Sequence, residues 1–146
     1  MEHIFFGGAY FMMDNSTIES YKTIAEIFEK QFKKYKIYTP LDIENFRKNY
    51  IKNNPNADKD VVDCAMVEYD LNLVKNAKLF VVDVSNRSLG VGIELGIAKS
   101  NNTKVVLVAK QNCQVSDMVT GAFSQSKINF YKDEKDLKNI IKSIKL

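Results

Sequence analysis

The stretch Leu79-Phe80-Val81-Val82-Asp83-Val84, followed by Ser88-Leu89-Gly90-Val91-Gly92-Ile93-Glu94-Leu95-Gly96, decides how the rest of the chain is read. Its first six residues are apolar, rich in β-branching and closed by polar Ser85-Asn86-Arg87, which predicts a fully buried strand. Downstream, Ile93, Leu95, Ile97 and Ala98 predict the start of a helix that ends near Ser100-Asn101-Asn102. The intervening segment then reads as a strand-to-helix turn, with Gly90 and Gly92 where the backbone bends and approaches a ligand. Backbone N–H groups at such a helix start, together with the positive end of the macrodipole, form an anion site. Glu94 falls in or near the first turn, where the same field favours its ionised form, as a carboxylate nucleophile requires. For an isolated Gly-x-Gly-x-Glu the plainer reading, a dipole-complementing glutamate after a glycine turn, is preferred.

Working outward, the flanking segments repeat the same alternation of strand and helix. Ile4-Phe5-Phe6 predicts a short strand running into Gly7-Gly8-Ala9 and Tyr10-Phe11-Met12-Met13. Asp14-Asn15-Ser16-Thr17 offer N-caps for a helix over about residues 17 to 34, whose Ile24, Ile27, Phe28 and Phe32 recur at helical spacing. Ile37-Tyr38-Thr39, closed by Pro40, predicts a second strand. Residues 41 to 58 are polar and Asn-rich, broken by Pro55, and predict a short helix and a loop. A long helix follows over residues 58 to 76, with Val62, Ala65, Met66, Tyr69, Leu73 and Val74 as its inward stripe and Asp70 beside that stripe. An acid there is ordinarily solvated or paired with a neighbour; a facing cleft makes it functional. Val105-Val106-Leu107-Val108 predicts a fourth strand, Ser116 to Phe123 a short helix, Ile128-Asn129-Phe130-Tyr131 a fifth strand, and residues 133 to 145 a closing amphipathic helix.

This rhythm predicts an α/β fold in one domain over residues 1–146: a five-stranded parallel sheet, doubly wound, in flavodoxin-like (Rossmann-like) order. Ligands in such folds bind beyond the carboxyl ends of the strands. That edge collects Gly7 and Gly8 after the first strand, Ser85 to Gly92 after the third, and the loop before Ser116 after the fourth.

Composition narrows the chemistry. Hydrophobic residues make up 45% and charged residues 27% of the 146 positions, as in ordinary globular chains. The net charge of +3 comes from dispersed lysines without a compact basic block, which argues against a nucleic-acid partner. No apolar run reaches the length of a membrane span, and Met1-Glu2-His3 leads straight into a strand rather than a signal peptide. Cys64 and Cys113 lack metal or redox spacing, so a reducing, cytoplasmic setting is expected. His3 is the only histidine, which disfavours Ser-His or Cys-His nucleophilic catalysis and a His-based metal cluster. Acid–base chemistry must then rest on carboxylates or tyrosines, with no metal and no cofactor. Gly90-x-Gly92-x-x-x-Gly96 is one residue too long for a dinucleotide fingerprint and follows the third strand, not the first.

Asp70-Leu71-Asn72, Ala77 to Val84 and Ser88 to Gly96 together resemble the nucleoside 2-deoxyribosyltransferase superfamily. Ser88 to Gly96 is most similar to its branch of 2'-deoxynucleoside 5'-phosphate N-hydrolases and CMP N-glycosidases, as is Val115-Ser116-Asp117-Met118-Val119-Thr120-Gly121-Ala122. The opening, Ile4 to Phe11, looks closer to the transferases. The resemblance spans nearly the whole chain and is weakest between residues 40 and 60.

The resemblance implies that Glu94 is a nucleophile attacking the anomeric carbon to form a glycosyl ester, resolved by water in hydrolases and by a second base in transferases. It implies that Asp70 assists protonation of the leaving base. Ser88 stands where nucleoside-using transferases carry an aspartate. A serine hydroxyl beside the Gly90 and Gly92 amides suits a 5'-phosphate that a carboxylate would repel, although Ser88 also fits a simple helix N-cap. Ser116 matches a phosphate-contacting serine that the family supplies from a neighbouring subunit, and Met118 a residue near the base; this implies a homodimer or higher homo-oligomer with shared sites. An ordinary N-cap explains Ser116 equally well.

Phe5 stands where deoxyribose-specific members carry a tyrosine, and relatives acting on CMP share the phenylalanine, which implies tolerance of ribonucleotides; a plain core role is its alternative. Gly7 and Gly8 belong to the expected substrate-binding turn. Tyr10 and Phe11 replace the arginine-containing turn of the phosphate hydrolases, leaving part of the phosphate charge to another cation such as Arg87, and offer an aromatic pair for the base. The implied activity is hydrolysis of (deoxy)nucleoside 5'-monophosphates to free base and (deoxy)ribose 5-phosphate. The alternatives are base exchange between deoxynucleosides and a non-catalytic nucleotide-sensing module.

Overall fold

The computed structural model describes residues 1–8 and 15–146, with side chains of residues 15–17 excepted. Five strands form one all-parallel sheet in the order β2-β1-β3-β4-β5: β1 His3–Gly7, β2 Lys36–Tyr38, β3 Leu79–Asp83, β4 Val105–Lys110 and β5 Ile128–Tyr131. Among the described residues there are six helices: α1 Asn15–Gln31, α2 Pro40–Asn53, α3 Lys59–Asn76, α4 Leu89–Ser100, α5 Asp117–Ala122 and α6 Glu134–Ser143. This is the expected flavodoxin-like, doubly wound arrangement.

Period-two alternation along buried strands divides the interior into two cores. Ile4, Phe6, Leu79, Val81 and Val108 face α1 and α6, where Phe28, Phe32 and Ile141 close over them. Phe5, Phe80, Val82, Leu107 and Ala109 face the other way, under Ile43 of α2, Val74 of α3 and Leu95 of α4. Register sets Phe5 beside Phe80 and Gly7 beside Val82, so the carboxyl ends of β1 and β3 open together. The strand order reverses between these two strands, which is where doubly wound sheets leave a crevice.

Two expectations about local structure are corrected. The helix after β2 runs for 14 residues, longer than the short helix expected, and the loop is confined to residues 54–58. Pro40 occupies its first turn, where a missing N–H costs nothing. Thr39 Oγ1 accepts the Leu41 N–H at 3.3 Å and Asp42 Oδ2 accepts the Thr39 N–H at 2.7 Å. Thr39-Pro40-Leu41-Asp42 is thus a helix start that the polar composition hid. Likewise, α4 begins at Leu89, four residues before Ile93. Gly90 and Gly92 lie inside the helix, and no described glycine has a positive φ, so neither serves to bend the chain.

Candidate active site

Glu94 is the sixth residue of α4, in its second turn rather than its first. The helix directs it inward, where it is only 4% exposed. Beneath it lies the end of β1: a Cβ placed on Gly7 would be 3.4 Å from Glu94 Oε2 and 2.6 Å from Phe80 Cε2. The absent side chain of Gly7 therefore makes room for the Phe80 ring that lies beneath the Glu94 carboxylate. Asp70, from the packed face of α3, meets Glu94 at hydrogen-bonding reach. Glu94 Oε2 and Asp70 Oδ1 are both buried without a protein donor.

This burial reverses an electrostatic expectation. Glu94 lies beyond the reach of the helix's first-turn field, and desolvation, followed by the charge of Asp70, raises its pKa well above the ordinary carboxylate value. Asp70 is raised as well, chiefly by burial. Two carboxyls this close cannot both ionise cheaply, and Glu94 is the harder of the two to ionise.

The pair opens into a cavity of about 490 Å³, which Gly8, Ser88, Gly90 and the apolar side chains Met66, Val67 and Leu71 of α3 also line. A second hollow of about 310 Å³ adjoins it along Arg87, Ser88 and Leu89, and includes Asn86, Gly92, Ser116 and Met118. Ser88 caps α4, its Oγ accepting the Val91 N–H at 3.3 Å, which leaves the hydroxyl proton free to donate outward. Arg87 lines both hollows and forms no ion pair among the described residues. One cleft thus carries acid at one end and a cation with helix N–H groups at the other.

The other anticipated site residues fall in different places. Ser116 stands at the N-cap position of α5 but makes no capping bond. Met118 is 81% exposed at the rim of the second hollow. Phe5 does not line the cleft; it is buried and stacked on Phe80, with ring centroids 5.3 Å apart. Odd-numbered positions of β1 face the α3–α4 core, and Phe80 fills the space between Phe5 and Gly7. Tyr10 and Phe11 lie outside the described residues.

Residues the motif did not single out also gather at this edge. Tyr21 of α1 packs its hydroxyl on Gly8, where a Cβ would be 2.9 Å away, and burial, with help from Asp83, pushes its pKa up to about 12. Asp83 accepts hydrogen bonds from Ser85 and from Tyr131, whose pKa is raised by burial and by that carboxylate. The strand-end position of Asp83 was the available signal.

No family model matches the sequence, and no curated protein matches it. Solved structures do. The chain superposes on a CMP N-glycosidase from Clostridium botulinum with a TM-score of 0.62 at 17% identity, covering 94% of this chain and 96% of that one. It superposes on a conserved protein from Enterococcus faecalis at 0.64 and 18%, covering 97% and 98%, and on a 2-deoxyribosyltransferase from Leishmania mexicana at 0.62 and 9%, covering 98% and 99%. These likenesses show a shared fold, one that a CMP N-glycosidase and a 2-deoxyribosyltransferase also adopt. Within this fold the Glu94–Asp70 pair sits at the strand-order reversal between β1 and β3. Among the described residues no helix is long and apolar enough to cross a membrane.

Proposed function

We propose that this chain is an N-glycosidase of the nucleoside 2-deoxyribosyltransferase superfamily that hydrolyses (deoxy)nucleoside 5'-monophosphates to free base and (deoxy)ribose 5-phosphate. The observation that carries this reading is the buried Glu94–Asp70 pair facing a ligand-sized cavity. The two carboxyls face one another closely enough to interact electrostatically, which suits a nucleophile and an acid working in turn. A proton held by the pair leaves through Asp70 to the departing base, whose C1'–N bond breaks as the base takes that proton and the bonding electrons. Glu94, now anionic, bonds to the anomeric carbon, and water later cleaves the ester. Loss of that proton and growth of positive charge on the sugar thus coincide.

The opposite end of the cleft supports an anionic substrate end. Arg87, the hydroxyl of Ser88 and the free N–H groups of the first turn of α4 suit a 5'-phosphate, kept away from the acid pair. Leu89 is 92% exposed and Ile93 57% exposed beside this cleft, which suits cover by a second copy of the chain and Ser116 acting across that interface. The likeness to a solved 2-deoxyribosyltransferase favours, as a second reading, base exchange through the same ester.

Incubation with ribo- and deoxyribonucleotides and nucleosides, with and without added adenine, separates the readings. Base release from nucleotides and its loss in Glu94→Ala are expected. Faster consumption of deoxynucleosides when adenine is added identifies the transferase, and stoichiometric binding without product a sensing module.

A further inference from the structure

Beyond the acid pair, the carboxyl edge of the sheet carries a second polar cluster that the proposed chemistry does not use. It lies on the opposite face of the sheet from Glu94, at the point where β3 gives way to the segment leading to α4. Asp83 Oδ1 accepts the Ser85 N–H at 2.9 Å and the Ser85 hydroxyl at 2.5 Å. Its other oxygen accepts the Tyr131 hydroxyl from β5. Ser85 Oγ in turn accepts the Lys110 N–H from the end of β4 at 2.7 Å. One carboxylate thereby ties the ends of three adjacent strands, beyond the last ladder bond from Val84 N to Val108 O at 2.9 Å.

The tie is aimed at the cleft. Only Asn86 and Arg87, both exposed, separate Ser85 from Ser88, the cap of α4. Asp83 also lies beside Gly8, its Cβ 3.7 Å from where a Cβ on that glycine would be, and Gly8 lines the cavity. Anchored at Ser85 on one side and at Ser88 on the other, a two-residue span has little freedom to carry Arg87 away from the two hollows.

We propose that Asp83 is a positioning residue for the cleft: through Ser85 and Tyr131 it clamps the Ser85–Ser88 segment, holding Arg87 and Ser88 where the anionic end of a substrate binds. Its link to catalysis rests on the function proposed above; the clamp itself does not. Asp83 acts on the binding end, so its loss raises KM while leaving the acid pair in place. A group serving stability alone would lower the melting temperature and leave the segment and KM as they are.

The test compares Asp83→Ala, Asp83→Asn and Tyr131→Phe with the native chain by amide hydrogen exchange, melting temperature and nucleotide kinetics. Exchange at Ser85 to Val91 is expected to rise roughly tenfold or more in Asp83→Ala, the effect of losing hydrogen bonds to a charged acceptor, with core strands unchanged. Asp83→Asn, whose amide oxygen still accepts from Ser85, should recover part of that protection. KM for a nucleoside 5'-monophosphate should rise about tenfold with kcat changed by less than about threefold, since remote contacts are being loosened. Unchanged exchange in the segment overturns the clamp, and an equal fall in kcat with constant KM overturns its assignment to the binding end. If Asp83→Ala does not fold, Tyr131→Phe, which removes one hydroxyl, decides the exchange arm. A native chain that releases no base refutes the proposed function, while exchange still decides the clamp.

Discussion

Adding one methyl group at Gly7 tests whether the sheet edge beneath Glu94 is closed by the Phe80 ring. The new Cβ would stand 2.6 Å from Phe80 Cε2 and 3.1 Å from Phe80 Cζ. Carbon atoms pack comfortably at about 3.5–4.0 Å, so the ring or strand must give by about 1 Å. Phe80 is fully buried and stacked within 10° of parallel on Phe5, so retreat disturbs the core beneath. Overpacking of this kind costs about 1–3 kcal/mol. At roughly 2–4 °C per kcal/mol for a chain of this size, Gly7→Ala should melt about 2–12 °C below the native protein. The Cβ itself would meet Glu94 Oε2 at ordinary contact, 3.4 Å, but a shift of the strand or ring passed on to a reacting group can cost roughly a hundredfold in rate for about 1 Å. Calorimetric melting with base-release kinetics makes the measurement. Gly96→Ala is the internal control: it lies within α4 with nothing within 4 Å of its Cβ position, and should gain up to about 1 kcal/mol from helix propensity. A Gly7→Ala protein as stable and active as the native chain, or a Gly96→Ala protein destabilised to the same degree, would refute the packing argument.

Other outcomes follow from the same geometry. Raised carboxyl pKa values mean that the fold binds protons more tightly than the unfolded chain, so the pair's contribution is intact below the unfolded carboxylate range of about 4 and is lost as pH rises through the raised values. Glu94→Gln should therefore gain stability relative to the native chain between pH 4 and pH 8 in urea titrations; a constant difference would count against the buried pair. Thr39→Ala removes the α2 cap and should cost about 1 kcal/mol in the same titrations, with KM unaltered. If a second copy covers the cleft rim, sedimentation should show a dimer that Leu89→Glu weakens; a native monomer at working concentrations excludes the shared site.

The alternation of buried runs with amphipathic segments was enough to specify the doubly wound sheet, because apolar period and strand length are local properties. Leu79 to Val84 and Val105 to Val108 leave few other fates for a chain of this composition. Ser88, Glu94 and Asp70 were also legible, since their spacing sets their places on α4 and α3. Local reasoning failed where two signals competed. Asn-rich polarity masked the Thr39–Asp42 capping box, and two glycines suggested a bend where tertiary packing sustains a helix from Leu89.

Charge state lay beyond the sequence altogether. A helix start taken alone favours an ionised Glu94, but α3 brings Asp70 against it and removes water from both, which reverses the shift. Desolvation and charge proximity depend on which distant elements pack together, as does the meeting of Asp83 with Tyr131 across 48 residues. The chain order thus specified the frame and the residue types at its open edge. Only the assembled fold decided which of those groups are made hard to ionise, which bind one another, and which, like Phe5, are sealed into the core.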